Sequence, residues 1–308
     1  MEDITFIATE DVQGKRIDKF LREQLPETSR NFLQKKIERG EITVNGRVVK
    51  TNYKLRLQDQ VCLVGDTELK PVPILPENIP LSIIYEDEDI LVINKPKGMV
   101  VHPAPGHWSG TVVNAVMYHC KDRLSGINGE LRPGIVHRID KDTTGSLIIC
   151  KNDRAHQLVA QQIAVHDIKR SYVGIVLGTP EPFGTIHTSI GRDPKERKRM
   201  AVNTIHGKDA ITHYRVLEQY HQYAFMQFEL ETGRTHQIRV HMASIGHPLL
   251  GDTVYGPKKC PFALQGQTLH AMTLGLKHPS SGAYVEYEAP LPDYFVDLLT
   301  ILRKDHIM

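Results

Sequence analysis

The sequence predicts an α+β protein in which a large, mostly antiparallel sheet with flanking helices follows a small N-terminal α/β domain. Strand-like segments outnumber helix-like segments beyond residue 80, a proline-rich stretch precedes them, and basic residues concentrate near the N-terminus. We therefore divide the 308 residues into a domain at 1–65, a linker at 66–80 and a larger domain at 81–308.

The first domain is predicted to contain two helices followed by a β-hairpin. Apolar residues recur at helical spacing within 16–25, and a second helix is predicted to run to Arg39 and to end at Gly40. The segment 41–49 then alternates apolar and polar residues around Asn45-Gly46. This dipeptide suits a tight turn because both central residues need positive φ.

The same domain has a concentration of basic residues. Between positions 15 and 56 there are twelve Lys or Arg against five Asp or Glu, while the net charge of the whole chain is only +2. Such a cluster suits a phosphate backbone, where each cation displaces condensed counterions, although an ordinary solvated face can have the same composition. We expect the basic residues of the second helix to lie on its surface. The candidate contacts are Arg16, Arg30, Lys35, Lys36, Arg39 and Arg47.

Two segments of this domain carry a family resemblance. Arg16-Ile-Asp-Lys-Phe-Leu, followed by Glu41-Ile-Thr-Val-Asn-Gly-Arg-Val-Val, resembles the αL RNA-binding domain. Many RNA-modifying enzymes share this module with a small-subunit ribosomal protein. The resemblance implies that the basic residues of the first domain contact RNA.

The larger domain has its own pattern of elements. Prolines among polar residues in 66–80 disfavour helix and sheet, which predicts a semi-extended linker. A helix is predicted over 155–168 after the possible caps Asn152 and Asp153, and another follows Gly233 and ends before Gly246. Strands are predicted at 83–85, 90–94, 171–177, 211–217 and 224–230.

One charged break in the larger domain is the first candidate for chemistry. The segment 134–151 contains two apolar strands separated by polar residues, and Asp140 lies in that break between Arg138 and Lys141. Nearby positive charge favours the carboxylate anion, which is a usable nucleophile. From the charge pattern alone, an aspartate that caps a turn is an equal alternative.

The residues around Asp140 resemble a known signature. His137-Arg-Ile-Asp-Lys-Asp-Thr-Thr-Gly145 is similar to the sequence His-Arg-Leu-Asp-x-x-Thr-Ser-Gly of the RluA-type pseudouridine synthases, which isomerise uridine in RNA. Ser146 replaces the apolar residue usual in the family, so its side chain is expected to face solvent or a backbone acceptor. Further similar segments follow in the order of the family at 94–103, 169–172, 230–241, 269–271 and 278–279.

The resemblance implies four site residues. Asp140 is the essential carboxylate and pairs with Arg234, while Tyr172 stacks on the target base. Arg138 helps to fill the gap that the flipped-out nucleotide leaves in the RNA helix. These roles are physically reasonable because a stacked base must leave its helix, and an aromatic ring and a long cation can replace the lost contacts. Simpler alternatives are a core strand aromatic for Tyr172 and a surface arginine for Arg234.

Motifs and composition argue against several classes of protein. His236 and His241 match no metal-binding spacing, and neither glycine-rich phosphate loops nor a Gly-x-Ser-x-Gly elbow occurs, so we expect no metal and no cofactor. A signal peptide and an apolar stretch long enough for a membrane span are lacking, so a cytoplasmic location is expected. We also expect the protein to be a monomer. Widely spaced cysteines suggest reduced thiols rather than disulfides; they are Cys62, Cys120, Cys150 and Cys260.

The predicted activity is isomerisation of specific uridines in structured RNA. The αL domain together with Lys141-Asp142 resembles family members that modify a hairpin of large-subunit ribosomal RNA. Alternatives are a transfer-RNA target, a non-catalytic RNA-binding or ribosome assembly protein, and a nucleoside hydrolase that releases the base. The basic segment 191–199 is either a further RNA-facing loop or a solvated one.

Overall fold

The computed structural model describes residues 3–26, 28, 30–64, 74–104, 107–121, 123–127, 129, 132–196, 199–203 and 205–305. The chain divides into two compact units between residues 73 and 74. This division falls inside the predicted linker, of which residues 66–73 lie outside the described residues.

The remainder of the predicted linker belongs to the second unit. The backbone oxygen of Leu75 accepts a hydrogen bond from Asn114 Nδ2 at 2.9 Å, and the backbone nitrogen of Glu77 donates to Asn114 O at 2.9 Å. The Glu77 carboxylate also accepts from the Gly110 amide. Residues 74–80 form neither helix nor strand, and hydrogen bonds attach them to the larger domain.

The first unit contains the two predicted helices and the predicted hairpin, together with a strand before the helices and another after the hairpin. The elements are β1 (Ile4–Ile7), α1 (Ile17–Gln24), α2 (Arg30–Glu38), β2 (Ile42–Val44), β3 (Arg47–Val48) and β4 (Gln60–Leu63). Within the described residues the strands form an antiparallel sheet in the order β1-β4-β2-β3. Asn45 and Gly46 in the hairpin turn have φ values of 51° and 73°.

The second unit has a long mixed sheet. The elements are β5 (Ile83–Glu86), β6 (Ile90–Lys95), α3 (Val112–Cys120), β7 (Thr144–Cys150), α4 (Asp153–Ala164), β8 (Lys169–Leu177), β9 (Phe183–Arg192), β10 (Met200–Val202), β11 (Lys208–Gln219), β12 (Tyr223–Leu230), α5 (Gln237–Ser244), β13 (Leu269–Lys277), β14 (Tyr284–Glu288) and α6 (Asp293–Asp305). Within the described residues the strands lie in the order β10-β9-β11-β12-β8-β13-β7-β6-β5, with β14 paired to β13. Neighbours are antiparallel except for β13 and β7, which confirms the mostly antiparallel sheet.

Helices cover both faces of this sheet. In β6, Ile90 and Val92 belong to the apolar cluster beneath α4, whereas Leu91 and Ile93 belong to the cluster beneath α3. Because side chains alternate along a strand, a strand covered on both faces is apolar throughout. Two further clusters lie beneath α5 and α6. None of the helices among the described residues is long and apolar enough to cross a membrane.

The departure at Ser146 is accommodated within β7. The side chain is 2 % exposed, and its hydroxyl donates to the backbone oxygen of Met272 at 3.4 Å. Of the two surroundings expected from the sequence, the backbone acceptor is correct. A buried hydroxyl is tolerated here because it has this partner.

Candidate active site

Asp140 lies in the loop that leads into β7. The amide of Thr143 donates to Asp140 O at 3.1 Å, which closes a turn at this position. Gly145 follows with a φ of +110°, and a Cβ atom there would lie 2.2 Å from the backbone oxygen of Ala271 in β13. Only glycine permits this approach, so the loop of Asp140 is held against the centre of the sheet.

A cleft beside this loop brings together residues that are far apart in the sequence. Besides Asp140 it is lined by Arg138, Tyr172 and Arg234, which are the other residues predicted for the site. Residues at the beginning of α5 complete it. The further polar lining includes Thr143, His236, Gln237 and Arg239.

The ion-pair partner of Asp140 is Arg239. Its Nη1 donates to Asp140 Oδ2 at 2.9 Å, while its Nε and Nη2 donate to the two carboxylate oxygens of Asp252 at 2.7 and 3.0 Å. Burial alone would lower the pKa of Arg239, but hydrogen bonds and the charge of Asp252, followed by Asp140, raise it above its ordinary value. A permanent cation therefore bridges two carboxylates at the base of the cleft.

The predicted pairing of Arg234 with Asp140 is wrong. Arg234 Nε donates instead to the backbone oxygen of Asp209 at 2.8 Å, and its amide donates to Gln237 Oε1 at 2.9 Å. Arg234 precedes α5 and follows the end of the strand, whereas Arg239 projects from within the helix toward the loop of Asp140. Arg234 remains a lining residue of the cleft.

A sequence signal for Arg239 existed. In the sequence it lies between Ile238 and Val240 within a predicted helix, so a guanidinium has apolar neighbours. In the structure residues 237 to 242 are all buried. A guanidinium in such surroundings needs a buried acceptor, since an unpaired charge there is very costly.

Tyr172 projects from β8 into the cleft. Its neighbours across the sheet are Phe228 in β12 and Ala271 in β13, and its ring packs against the apolar cluster beneath α5. Burial raises the pKa of its hydroxyl, so the side chain is a neutral phenol. The ring is thus anchored in the core and also lines the cleft.

Arg138 lies exposed at the rim of the cleft. Its Nη1 is 3.4 Å from His102 Nε2, a long contact that contributes little stabilisation. Burial and the charges of Arg138 and Arg132 lower the pKa of His102 to about 4, so this imidazole is neutral and can accept. Arg138 is therefore weakly held on the protein side and faces solvent.

Two of the predicted RNA contacts in the first unit are tied to a buried carboxylate. Arg16 and Arg30 donate to Asp18 at 2.9 and 2.8 Å, with 39 % and 46 % of their side chains exposed. Although burial raises the pKa of Asp18, hydrogen bonds from Arg16, Arg30 and Gln34 lower it to about 2. The carboxylate fixes both guanidinium groups while part of each remains accessible.

The prediction of a surface position for Lys36 is wrong. Lys36 is 8 % exposed and donates to Glu41 Oε2 at 2.8 Å. The helical rotation of about 100° per residue separates it from its neighbour, so Lys35 points to solvent while Lys36 lies on the packed side. Arg39 and Arg47 are exposed, as predicted.

The two histidines near α5 have different surroundings. His241 is fully buried, and its Nδ1 and Nε2 lie 2.9 and 3.0 Å from the hydroxyls of Thr212 and Thr188. His236 Nε2 lies 3.8 Å from Asp140 Oδ1 at the cleft. The ring nitrogens of the two histidines therefore contact different groups and are not arranged around a common metal-binding position.

Two other groups of side chains bring metal-ligand atoms close together. Both groups already make hydrogen bonds within the protein. The Glu86 carboxylate accepts from Lys151 and His119. The Asp87 carboxylate accepts from Tyr85 and His278. These hydrogen bonds give the clusters a structural explanation. The groups are Glu86, His119 and Cys120, and Asp87, Asp89 and His278.

In the second unit, a carboxylate fixed by a guanidinium thus lies in the same cleft as a tyrosine ring. Residues 89–244 match the family described as RNA pseudouridylate synthase, and residues 15–61 match the S4 domain. The chain belongs to the RNA pseudouridylate synthase family. The match to the S4 domain confirms the RNA-binding domain that the sequence predicted at the N-terminus.

Individual relatives agree with this assignment. The RNA pseudouridine synthase YlyB of Bacillus subtilis is 50 % identical over 99 % of this chain and 100 % of its own length. Ribosomal large subunit pseudouridine synthase D of Zymomonas mobilis is 45 % identical, with 92 % of each chain covered. The solved structure of human RNA pseudouridylate synthase domain containing 1 shares the fold with a TM-score of 0.57 and 24 % identity, over 74 % of this chain and 96 % of that chain.

Proposed function

We propose that this chain converts specific uridines of large-subunit ribosomal RNA to pseudouridine, with Asp140 as its essential carboxylate. The observation that carries the site assignment is the bridge of Arg239 between Asp140 and Asp252 at the base of the cleft. The RNA target is supported by relatives at 43 to 45 % identity that are named ribosomal large subunit pseudouridine synthase D.

The two oxygens of Asp140 differ in what they can do. Oδ2 accepts from Arg239 at 2.9 Å, whereas Oδ1 lies 3.8 Å from His236, beyond hydrogen-bond distance. Arg239 thus fixes the direction of the carboxylate and leaves Oδ1 for the substrate. Because the Asp140 side chain is 18 % exposed, a nucleoside in the cleft can reach this oxygen.

The reaction breaks the bond between N1 and C1′, turns the uracil and joins C5 to C1′. C5 loses its proton, and N1 gains one to become N–H. Atoms are conserved overall, so a reaction of this type needs no external donor or acceptor. Asp140 Oδ1 can serve it by attack at C1′, by attack at C6 or by removal of a proton from the sugar.

Tyr172 and Arg138 are proposed to compensate for extraction of the base from its RNA helix. Unstacking a base costs a few kcal/mol, and stacking on an aromatic ring recovers about 1 to 3 kcal/mol. Tyr172 offers such a ring inside the cleft, and Arg138 offers an exposed cation at its rim. Arg234, which also lines the cleft, is proposed as a further cationic contact.

The N-terminal domain is proposed to hold the RNA through its exposed cations. Lys35, Arg39 and Arg47 are solvent-exposed, and Arg16 and Arg30 present half-exposed guanidinium groups in fixed directions. Contacts of this kind strengthen binding to any phosphate backbone. The proposal includes a cytoplasmic location, which agrees with four free cysteines and with a ribosomal RNA substrate, and action as a monomer.

The test is pseudouridine mapping in cells that lack this protein, by carbodiimide-dependent reverse-transcription stops. Wild-type protein is expected to restore specific stops in large-subunit ribosomal RNA. Asp140→Asn is expected to restore none while its RNA affinity stays within several-fold, and Asp167→Asn, which changes an exposed carboxylate, serves as the matched control. Stops restored by Asp140→Asn would remove this residue from the mechanism.

The other outcomes identify the rival functions. Stops confined to transfer RNA would change the substrate and leave the chemistry intact. Free uracil among the products would indicate a glycosylase. Ribosome assembly rescued equally by wild type and Asp140→Asn would indicate a non-catalytic binding protein.

A further inference from the structure

His236 has an uncommon backbone conformation at the edge of the cleft. Its φ of 57° and ψ of 22° lie in the left-handed region, at the residue before the first turn of α5. Residues other than glycine are uncommon in this region, although Asn, Asp and His adopt it more often than the rest, and strained backbone conformations concentrate at functional sites. The imidazole makes no capping hydrogen bond to the helix and lines the cleft instead.

The Tyr255 hydroxyl favours one of the two neutral tautomers of His236. The Tyr255 hydroxyl oxygen accepts from the backbone amide of Met200 at 2.9 Å and lies 2.9 Å from His236 Nδ1. The amide can only donate, so among the described residues the hydroxyl hydrogen has Nδ1 as its acceptor. A neutral imidazole that accepts at Nδ1 carries its own hydrogen on Nε2.

Tyr255 is itself fixed by the groups that anchor Arg239. Its backbone amide donates to Asp252 Oδ1 at 3.1 Å, and its ring lies 5.1 Å from the Arg239 guanidinium carbon. The rings of Tyr255 and His236 are edge to face, with centroids 5.7 Å apart. One turn thus positions the cation that holds Asp140 and the phenol that orients His236.

The hydrogen on His236 Nε2 is available to a ligand. Asp140 Oδ1 is 3.8 Å away, which is too far for a hydrogen bond, and the part of the chain that the structure describes offers Nε2 no closer acceptor. The side chain is 20 % exposed. A donor with a defined direction therefore faces the space beside the reactive oxygen.

We propose that His236 donates this Nε2–H to a carbonyl oxygen of the target uracil, an inference that rests on the proposed function. Uracil carries two such oxygens, O2 and O4, and cytosine has an amino group in place of O4. A hydrogen bond from His236 fixes the ring plane relative to Asp140 Oδ1. It also holds the base within reach after its bond to the sugar has broken.

The charge state of His236 agrees with this role. Burial lowers its pKa below the ordinary value, and the charge of Asp140 opposes that effect only in part. The cations Arg239 and Arg138 also act to lower the pKa, while Asp252 acts to raise it. A neutral imidazole leaves Arg239 as the sole ion-pair partner of Asp140 within hydrogen-bond distance among the described residues.

The tautomer can be measured without turnover. Two-bond proton–nitrogen correlation spectra of the ¹⁵N-labelled full-length protein, assigned with His236→Gln, report which ring nitrogen is protonated. We expect Nε2–H in the wild type and a loss of this preference in Tyr255→Phe. The matched control Tyr284→Phe, whose hydroxyl contacts Glu286, should leave the signals unchanged. A predominant Nδ1–H form in the wild type overturns the proposal.

The contact with the base is tested by a substrate series. Single-turnover rates are measured by nucleoside chromatography on RNA that carries uridine, 2-thiouridine or 4-thiouridine at the target, because sulfur is a weak acceptor. His236→Ala is expected to slow the uridine reaction about tenfold, with the RNA dissociation constant unchanged within about twofold. His236→Gln retains a side-chain N–H and should recover part of the rate.

The decisive comparison is whether the rate penalty of His236→Ala depends on which oxygen of the target base has been replaced by sulfur. The penalty of His236→Ala should disappear on one of the two thio-substituted RNAs, which identifies the oxygen that His236 contacts. Equal penalties on all three RNAs contradict the contact. Failure of the proposed function has a different signature, since the wild type would then form no pseudouridine in any of them while the spectra still report the tautomer.

Discussion

The ε-ammonium group of Lys95 donates a hydrogen bond to the backbone oxygen of Lys141 at 2.9 Å, one residue after Asp140. The same group donates to Pro96 O and Met99 O at 2.8 and 2.9 Å. Burial lowers the pKa of Lys95 to about 7, whereas the three carbonyl acceptors favour the form with three hydrogens. This buried side chain thus ties the loop of Asp140 to the loop after β6.

Replacing Lys95 with Met should weaken both the fold and the site. The change keeps a long apolar stem but removes the donor from three carbonyls, and buried groups without a partner cost about 1 to 3 kcal/mol each. We expect the free energy of unfolding in urea to fall by about 3 kcal/mol, together with a slower single-turnover rate. Lys277→Met removes only an exposed ion pair with Asp167 and should change stability by less than about 0.5 kcal/mol. Equal effects of the two changes would contradict this assignment.

The two arginines of the cleft should respond differently to substitution by lysine. Arg239→Lys cannot reproduce the fork that spans Asp140 and Asp252, so we expect at least about a hundredfold loss of the single-turnover rate. Arg234→Lys keeps a cation at the cleft edge and should lose about tenfold or less. Rates are to be compared at saturating enzyme, and the opposite order would restore the pairing suggested by the sequence.

Adjacent lysines of α2 should have separable effects. Lys35→Ala removes an exposed cation, so RNA affinity should fall about two- to threefold and the salt dependence of binding should become shallower by about one unit in its slope. Lys36→Ala breaks a mostly buried contact with Glu41 and should instead lower the melting temperature of the N-terminal domain. Filter binding over a salt series, together with calorimetry, distinguishes the two. An unchanged salt slope for Lys35→Ala would argue against its contact with phosphate.

Acid should destabilise the fold through His241. Burial lowers the pKa of this histidine to about 4 in the folded state, below the value of about 6.5 in an unfolded chain. The unfolded state therefore binds the proton first as the pH falls, so the stabilisation is complete above about pH 6.5 and is lost toward pH 4. Over that pH range, we expect the free energy of unfolding measured in urea to fall by about 2 to 3 kcal/mol. His241→Gln should make the pH dependence shallower without abolishing it, because His102 and His137, whose pKa values burial also lowers to about 4, remain. Parallel curves for the two proteins would contradict a contribution from His241.

Local patterns in the sequence predicted several features of the molecule correctly. The Asn45-Gly46 turn, the two N-terminal helices and the largely antiparallel sheet follow from backbone preferences and from the periodicity of apolar residues. These preferences act between residues close in the chain, so they can be predicted from the sequence without knowledge of the fold. The charged break around Asp140 was recognised for the same reason.

The tertiary structure alone decided which arginine serves Asp140 and which lysine of α2 faces solvent. Asp140 and Arg239 are 99 positions apart, and their contact depends on how α5 is placed against the sheet. Lys36 and Lys35 have the same chemistry, and only the rotation of α2 about its axis separates them. Sequence determined the residue types and the local conformations, whereas burial and ion pairing were decided by packing between distant segments, because electrostatic interactions depend on distance in space.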